Sequence, residues 1–150
     1  MEYFPAPLSP AESDALVERI EGSFEQRGFG FWAIELLAGR RLAGFTGLQL
    51  IDRQLPFAPA VEIGWRLTPS CWGRGIATEA ATAAATFAFH TIELPQLVAY
   101  TAAVNLRSRR VMERLGMRRD PGEDFCHPAL PAGHRLAAHV LYRLDPPAPR

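Results

Sequence analysis

The chain has 150 residues, of which 48% are apolar and 21% charged, and this length and composition predict one globular domain over residues 1–150. The 16 basic residues balance the 16 acidic ones, so the chain lacks the overall positive charge typical of proteins that hold nucleic acid through its phosphates, and we expect no nucleic-acid partner. All the basic residues are arginine, which excludes chemistry that depends on lysine.

The sequence indicates neither a membrane span nor a cysteine motif. No apolar run approaches the roughly 18 residues of a membrane span, and the start from Met1 to Pro5 has neither a basic lead nor an apolar stretch. Cys71 and Cys126 are isolated in the sequence, which favours reduced thiols over a zinc site or a disulfide framework. We therefore expect a cytoplasmic protein with no membrane partner and no metal.

A capping sequence opens the first predicted helix. Ser9 is a suitable N-cap, Pro10 suits the first turn, and Glu12 stands three residues after the cap, as in a capping box. Apolar residues then recur at helical spacing until Gly28, which is a typical stop signal. The segment between Ser9 and Gly28 is therefore predicted to form an amphipathic helix.

Runs of apolar or alternating residues predict strands along much of the remaining chain. These runs are residues 31–37, 42–51, 61–67, 97–101 and 137–144. The first two are joined by a turn at residues 39–41, which indicates a hairpin. Gly44 and Gly47 lie inside the second run, where glycine indicates a bulge or a close approach of other groups.

Two more helices are predicted between the later strands. Residues 76–90 are nearly all alanine, which predicts a buried helix that lies close against a sheet. Residues 105–115 form an arginine-rich segment that ends at Gly116, a typical helix terminus. The stretch from Met117 to residue 136 is interpreted as a connection. This order of helices and strands predicts an α+β protein built around a mixed sheet.

The strongest chemical signal is the sequence Gly73-Arg74-Gly75 between a strand and a helix. A glycine-rich turn lets backbone N–H groups close around an anion such as pyrophosphate, and the helix dipole adds to the attraction. An ordinary strand-to-helix turn explains the two glycines equally well. A P-loop is excluded because its lysine is missing, and a Rossmann loop is disfavoured because Thr78 stands where a third glycine or an alanine is expected.

A second motif downstream gives this loop a context. Asn105 and Ser108 form an Asn-x-x-Ser pattern at the start of the last predicted helix, which closes with Leu-Gly-Met at residues 115–117. Together with the strand at residues 61–67, the loop and helix at 72–80 and the strand at 97–101, this motif resembles the GNAT superfamily of acetyl-CoA-dependent N-acetyltransferases. Within it, the pattern is most similar to the RimJ/RimL-like branch. The resemblance covers most of the chain.

The resemblance implies a GNAT-like fold, with a mixed, mostly antiparallel central sheet flanked by helices. It implies acetyl-CoA as co-substrate and no metal. The residues that it implies for binding the co-substrate are Trp65, Leu67, Trp72, Gly73, Arg74, Gly75, Ala77, Asn105, Ser108 and Arg109. The other arginines of the last helix either hold the 3′-phosphate of coenzyme A or an acidic acceptor, or form a solvated face, which is favoured for most of them. One departure is Ser70, which stands where the loop usually opens with Gln or Arg.

Acetyl transfer from a thioester to an amine needs a neutral amine and a proton for the departing thiolate, but no nucleophile from the enzyme. Many family members carry a tyrosine acid where this chain has Met112, so the resemblance points to Ser108 as the acid; alternatively, Ser108 only hydrogen-bonds the helix backbone or the pantetheine arm. Glu62 is the candidate base, because its strand splays in this family to admit the acetyl group. Its alternatives are a solvated carboxylate and a chain of waters that takes the proton. Cys71 is interpreted as a bystander.

The acetyl acceptor has no motif of its own. The RimJ/RimL-like branch is associated with protein N-terminal amines, while the same scaffold also serves small amines, so both acceptors stay open. His127, His134 and His139 have no spacing suited to a metal, and any of them could line the acceptor pocket. The alternative to an enzyme is a non-catalytic module that binds or senses acyl-CoA.

Family members normally begin with a strand that comes before the segment matching Met1 to Pro5. We therefore expect a sheet without this first strand, in which residues 31–37 present an unpaired edge. Upstream residues, a second subunit, the proline-rich tail or the segment before Ser9 would then cover that edge. A homodimer is expected if the second subunit does so.

Overall fold

The computed structural model describes residues 6–52 and 54–149. Within these residues, three α-helices and seven strands follow one another along the chain, besides short 3-10 turns. They are α1 (Pro10–Arg27), β1 (Phe31–Leu36), β2 (Arg41–Ile51), β3 (Ala60–Leu67), α2 (Ile76–His90), β4 (Leu97–Ala102), α3 (Leu106–Arg114), β5 (Arg118–Arg119), β6 (Phe125–Cys126) and β7 (Ala138–Leu144). The predicted helices and longer strands are confirmed with small changes at their ends, and so is the α+β class.

The strands of the described residues form one mixed, mostly antiparallel sheet in the order β1-β2-β3-β4-β7-β5, with β6 also paired to β7. β3 and β4 are parallel and pair at Glu62 and Val98. Beyond this point the two strands separate toward Leu67 and Ala102, which opens a gap in the middle of the sheet. The gap places the ends of both strands beside the start of α3.

β1 lies at one end of the strand order. Among the described residues it pairs with β2 alone, so it presents the edge that the sequence predicts. The segment before Ser9 was one of the expected covers for this edge, and its residues from Met1 to Pro5 lie outside the described residues.

The glycines of β2 permit close contacts with neighbouring backbone. A Cβ at Gly44 would lie 1.9 Å from the carbonyl oxygen of Arg66, and a Cβ at Gly47 would lie 2.0 Å from that of Gly30. The register of β1 against β2 also shifts after Ile34, the partner of Gly44. The predicted bulge and the predicted close approach are both confirmed.

The helices follow their sequence signals. Ser9 and Glu12 exchange the two hydrogen bonds of a capping box, and Gly28 ends α1 in a left-handed conformation with φ +75°. The buried face of α2 consists of small side chains, namely Ala81, Ala84, Ala85 and Ala88. These alanines let α2 pack closely on the sheet, next to Leu48 and Ile63.

In the part of the chain that the structure describes, no helix combines the length and the apolar character needed to cross a membrane.

The expected connection after Met117 contains the two short strands β5 and β6, and on this point the sequence interpretation was wrong. Each strand has two residues, too few to show a periodic pattern, and each pairs with β7. An ion pair of 2.8 Å between Arg143 and Glu123 helps to hold the segment on the sheet. As a result, Phe125 and His127 lie beside Tyr100 of β4.

Candidate active site

The loop between β3 and α2 faces a cavity of about 300 Å³, here called the first cavity. Gly73 and Gly75 have left-handed φ angles of +71° and +75°, which residues with a side chain adopt only at a cost. A Cβ at either position would have no atom within 4 Å, so the loop backbone faces open space. Gly75 is the N-cap of α2, and no side chain caps this helix. The unpaired N–H groups of the first turn and the helix dipole are therefore suited to an anion.

Thr78 adds a hydroxyl group without a partner to the same cavity. Its Oγ1 atom is buried and has no hydrogen-bond partner among the described residues. Thr82 and Thr86, on the same stripe of α2, donate to the carbonyl oxygens four residues earlier at 2.7 and 2.9 Å. A buried hydroxyl without a partner lowers stability, so Thr78 is suited to bind a ligand in the cavity.

The opposite wall of the first cavity is one face of α3. Arg107, Arg110 and Arg114 line it at the three- and four-residue spacing of a helix face. The guanidinium carbon of Arg107 lies 4.2 Å from the centre of the Trp72 ring, and Trp72 Nε1 donates to the carbonyl oxygen of Leu67 at 3.1 Å. The cavity thus combines three guanidinium groups with an indole, which suits a phosphorylated ligand. All three arginines are exposed, so the two roles expected for them, holding a phosphate and forming a solvated face, both stay open.

Most of the residues predicted to bind the co-substrate line the first cavity. These are Trp65, Leu67, Trp72, Gly73, Gly75, Ala77, Asn105 and Ser108. Arg74, between the two loop glycines, is exposed and is not part of the cavity's lining. Arg109 also lies outside the cavity, because its guanidinium donates to the carbonyl oxygen of Ala103 at 2.9 Å and to Tyr142 Oη at 3.4 Å. Arg109 therefore anchors α3 to β7.

Asn105 and Ser108 are connected by hydrogen bonds at the start of α3. Asn105 Oδ1 accepts from the backbone N–H of Ser108 at 3.3 Å. Asn105 Nδ2 donates to Oγ1 of Thr101 at 3.0 Å and to Oγ of Ser108 at 3.2 Å. Because the Ser108 oxygen accepts from Asn105, the proton of its hydroxyl stays available for donation.

Glu62 lines a second cavity of about 480 Å³. Its side chain is partly buried, and its carboxylate makes no hydrogen bond or ion pair with another described residue. Burial raises the pKa of Glu62 to about 8. A carboxyl group with a pKa near neutrality, in a cavity, has the property that a general base needs, and it differs from a solvated surface carboxylate.

Two of the three candidate histidines line the second cavity. His127 and His139 have ring centres 5.0 Å apart, and burial lowers the pKa of both, so they are neutral at pH 7. His134 lies elsewhere and accepts a hydrogen bond from the backbone N–H of Leu136 at 3.1 Å. Sequence reasoning missed Tyr100 and Gln49, which also line this cavity. Their positions in strands gave no signal of a site, because both depend on which strands lie side by side.

The two cavities meet at a shared wall. Trp65, Arg66, Asn105 and Ser108 line both of them. This shared wall lies where β3 and β4 separate, and Glu62 is present on the second cavity's side only. A ligand in the first cavity and a ligand in the second would therefore meet next to Ser108.

Cys71 is 2% exposed, forms part of the first cavity's wall and accepts a hydrogen bond from the Thr68 hydroxyl at 3.4 Å. This hydrogen bond lowers the pKa of the Cys71 thiol. Cys126 is exposed and distant from it in sequence. Across residues 6–52 and 54–149, the His, Cys, Asp and Glu side chains form no group of three or more that could hold a metal ion.

Comparison with known proteins identifies a family. A family model described as the acetyltransferase (GNAT) domain matches residues 1–118. YnaD of Bacillus subtilis (strain 168), described as an uncharacterized N-acetyltransferase, is 37% identical over 83 residues, which are 55% of this chain and 47% of that protein. The chain spans less than half the length of the curated relatives it matches.

Solved structures agree with this match. An acetyltransferase from Agrobacterium tumefaciens str. C58 superposes with a TM-score of 0.73 at 28% identity, covering 93% of this chain and 74% of that one. A GnaT-family acetyltransferase from Bordetella pertussis superposes with a TM-score of 0.76 at 27% identity, covering 91% of this chain and 77% of that one. The mixed, mostly antiparallel sheet flanked by helices is therefore the fold of these acetyltransferases.

Proposed function

This chain belongs to the GNAT acetyltransferase family, and from that premise we propose that it transfers the acetyl group of acetyl-CoA to a primary amine by direct attack. The observation that carries the proposal is the shared wall of the two cavities at Asn105 and Ser108. One cavity offers sites for phosphates, and the other offers a carboxyl group suited to take a proton. The acceptor is a small amine or a protein N-terminus, as the resemblance to the RimJ/RimL-like branch implies.

The first cavity fits the co-substrate. The N–H groups at Gly73, Gly75 and the start of α2 would hold the pyrophosphate, together with the unpaired hydroxyl of Thr78. Arg110 and Arg114 supply positive charge for the remaining phosphate. Acetyl-CoA supplies a thioester, which is already activated for attack by an amine.

Proton transfers are assigned to two residues. Glu62 removes a proton from the ammonium group of the acceptor, either directly or through water, so that the nitrogen can attack. The C–N bond then forms and the C–S bond breaks. Ser108 donates its proton to the departing sulfur and regains one from the newly bonded nitrogen. The net products are an acetylated amine, coenzyme A and the proton left on Glu62.

A binding and turnover experiment tests the proposal. Calorimetry measures whether acetyl-CoA binds, and the release of free thiol with a panel of primary amines measures transfer. Binding together with amine-dependent thiol release is the expected result. Binding without thiol release for any amine would overturn transfer and support a module that binds or senses acyl-CoA. The absence of acetyl-CoA binding would overturn both.

A further inference from the structure

The second cavity has two aromatic walls. On β1 and β2, the rings of Phe31 and Phe45 lie with their centres 5.3 Å apart. On the opposite side, the cavity is lined by Tyr100, His127 and His139, whose ring centres are separated by 5.0 to 6.4 Å. This second group is here called the ring wall.

Two further rings support the ring wall from behind. Phe125 lies 5.5 Å from His139, and Phe57 lies 5.3 Å from Tyr100, measured between ring centres. Phe57 and Phe125 also contact each other at 5.5 Å. The wall is therefore part of a packed aromatic cluster, and it presents apolar ring surface to the cavity.

Three polar groups without partners lie between the two walls. Gln49 and Glu62 are directly opposite each other in the pairing of β2 with β3. Tyr100 lies on β4, two residues beyond the partner of Glu62, and burial and then the charge of Glu62 raise the pKa of its hydroxyl. None of these three side chains has a hydrogen-bond partner among the described residues. A carboxylate, an amide oxygen and a phenol oxygen can together accept the three N–H bonds of an ammonium group.

The glycine in the centre of this face leaves the ammonium position open. A Cβ at Gly64 would lie 3.1 Å from the Phe31 ring and 3.6 Å from Oε1 of Glu62. The carboxylate and the Phe31 ring therefore approach the same point from two sides. When the ammonium group of a ligand reaches Glu62, the carbon atoms attached to that group lie against the aromatic rings that line the cavity.

The charges of the cavity limit the number of amines in the ligand. Glu62 is the acidic residue that lines it in the described structure, and Arg66 is also in the wall, with its guanidinium carbon 5.3 Å from the centre of the Phe45 ring. His127 and His139 are neutral at pH 7, because burial lowers the pKa of each. One carboxylate can pair with one ammonium, and the described lining offers no second acidic side chain for another.

We infer that the acceptor is a small monoamine that carries an aromatic ring, held with its ammonium at Glu62, Gln49 and Tyr100 and its ring against the ring wall. This inference rests on the proposed function and adds the acceptor's chemical class. A cavity of about 480 Å³ lies within the range of roughly 300 to 1,000 Å³ that is usual for small-molecule sites.

Matched acceptors test the inference. The initial rate of thiol release from acetyl-CoA is measured with 2-phenylethylamine, n-butylamine, spermidine and a trialanine amide. The expected kcat/KM for 2-phenylethylamine exceeds those of the other three by about 10- to 100-fold, because its ring buries more apolar surface on the ring wall than a butyl chain, a polyamine or a peptide can. An equal or higher kcat/KM for n-butylamine, spermidine or the peptide would overturn the inference.

The same samples separate this inference from the proposed function. If acetyl-CoA binds in calorimetry and spermidine or the peptide is the preferred acceptor, acetyl transfer stands and the aromatic class is wrong. If acetyl-CoA does not bind, the proposed function fails and the acceptor class fails with it.

Variants locate the ring's position. His127→Ala is expected to raise the KM for 2-phenylethylamine about tenfold, with kcat, the KM for n-butylamine and the affinity for acetyl-CoA little changed. His127→Phe should restore the low KM, because a ring is kept. His90→Ala, at the exposed end of α2, is the matched control. An unchanged KM in a folded His127→Ala protein, or a loss that His127→Phe does not restore, would overturn the placement.

Discussion

Nδ2 of Asn105 donates a hydrogen bond to Oγ of Ser108 at 3.2 Å, while Oδ1 of the same amide accepts from the Ser108 backbone N–H at 3.3 Å. The two bonds define the orientation of the amide, because its donor and acceptor ends are both in use. They also determine the role that is open to the serine. Its oxygen already accepts a hydrogen bond from Asn105, so its own proton can point toward the shared wall of the two cavities.

Ser108→Ala should lower kcat by about 10²- to 10⁴-fold, because the departing thiolate loses its proton donor. The dissociation constant of acetyl-CoA should change little, since the serine is not among the groups assigned to the phosphates. Steady-state thiol release and calorimetry give the two values. Ser13→Ala, on the exposed surface of α1, serves as the control. Normal turnover in Ser108→Ala would leave the serine with a purely structural role in capping α3.

The activity of the protein should rise with pH through a step near pH 8. The free base must be deprotonated to accept a proton, and burial raises the pKa of Glu62 to about 8. Tyr100, His127 and His139 line the same cavity, but burial raises the pKa of the Tyr100 phenol and lowers the pKa of both imidazoles, so their pKa values move away from this step. Glu62→Gln should lower kcat/KM by about 10²-fold or more and remove the step. Glu79→Gln, on the exposed side of α2, should keep both rate and step. A step that persists in Glu62→Gln would assign it to another group.

The free energy of unfolding should fall as the pH rises, whereas the activity should rise. The pKa of Glu62 is higher in the folded protein than its ordinary value of 4.5, so folding takes up a proton between about pH 4.5 and pH 8. The contribution of this group to stability is therefore complete at low pH and is lost as the pH rises through that interval. Relative to the wild type, Glu62→Gln should melt at a higher temperature at pH 9, and the difference should shrink toward pH 5. Thermal melts across this range measure it, and a constant difference would contradict the raised pKa.

Thr78→Val should weaken the binding of acetyl-CoA without weakening the fold. The variant keeps the branched shape of the side chain and removes a buried hydroxyl that has no partner among the described residues. Hydrogen bonds to charged groups contribute about 1.5 to 3 kcal/mol, so the dissociation constant should rise about 10- to 100-fold. The melting temperature without ligand should be unchanged or higher. Thr82→Val is the control, because that hydroxyl already donates to the carbonyl oxygen of Thr78 at 2.7 Å. Equal affinities for wild type and Thr78→Val would exclude a phosphate contact.

Gly75→Val should abolish the binding of acetyl-CoA, because its side chain would occupy the open space in front of the loop. The substitution also strains a backbone with φ +75°, so a loss of stability has to be separated from a loss of binding. Gly133→Val is a matched control, since Gly133 has φ +84°, has no atom within 4 Å of an added Cβ, and lines neither cavity. The two variants should lose similar stability, and only Gly75→Val should lose binding. Normal affinity in a folded Gly75→Val protein would remove the loop from the site.

Local features of this protein could be predicted from the sequence because they depend on neighbours along the chain. The capping box at Ser9 and Glu12, the alanine face of α2 and the loop from Gly73 to Gly75 each lie within a few residues. Short-range hydrogen bonds, helical periodicity and the conformational freedom of glycine are sufficient to specify such features. The family resemblance added the order of the motifs and, with it, the fold.

The convergence of distant residues was decided by the tertiary structure alone. Successive residues of α3 point in different directions around the helix axis, so Arg109 contacts Tyr142 while its neighbour Arg110 lines the first cavity. Both residues are arginines, so the residue type alone does not tell these two positions apart. β5 and β6 form because they pair with β7, although two residues are too few to show a pattern in the sequence. His127, which follows β6 directly, is thereby placed in the wall of the second cavity. The raised pKa of Glu62 likewise depends on burial by strands far from it in sequence. Burial, pairing and electrostatic environment are properties of packed neighbours, and a single sequence does not specify which residues those will be.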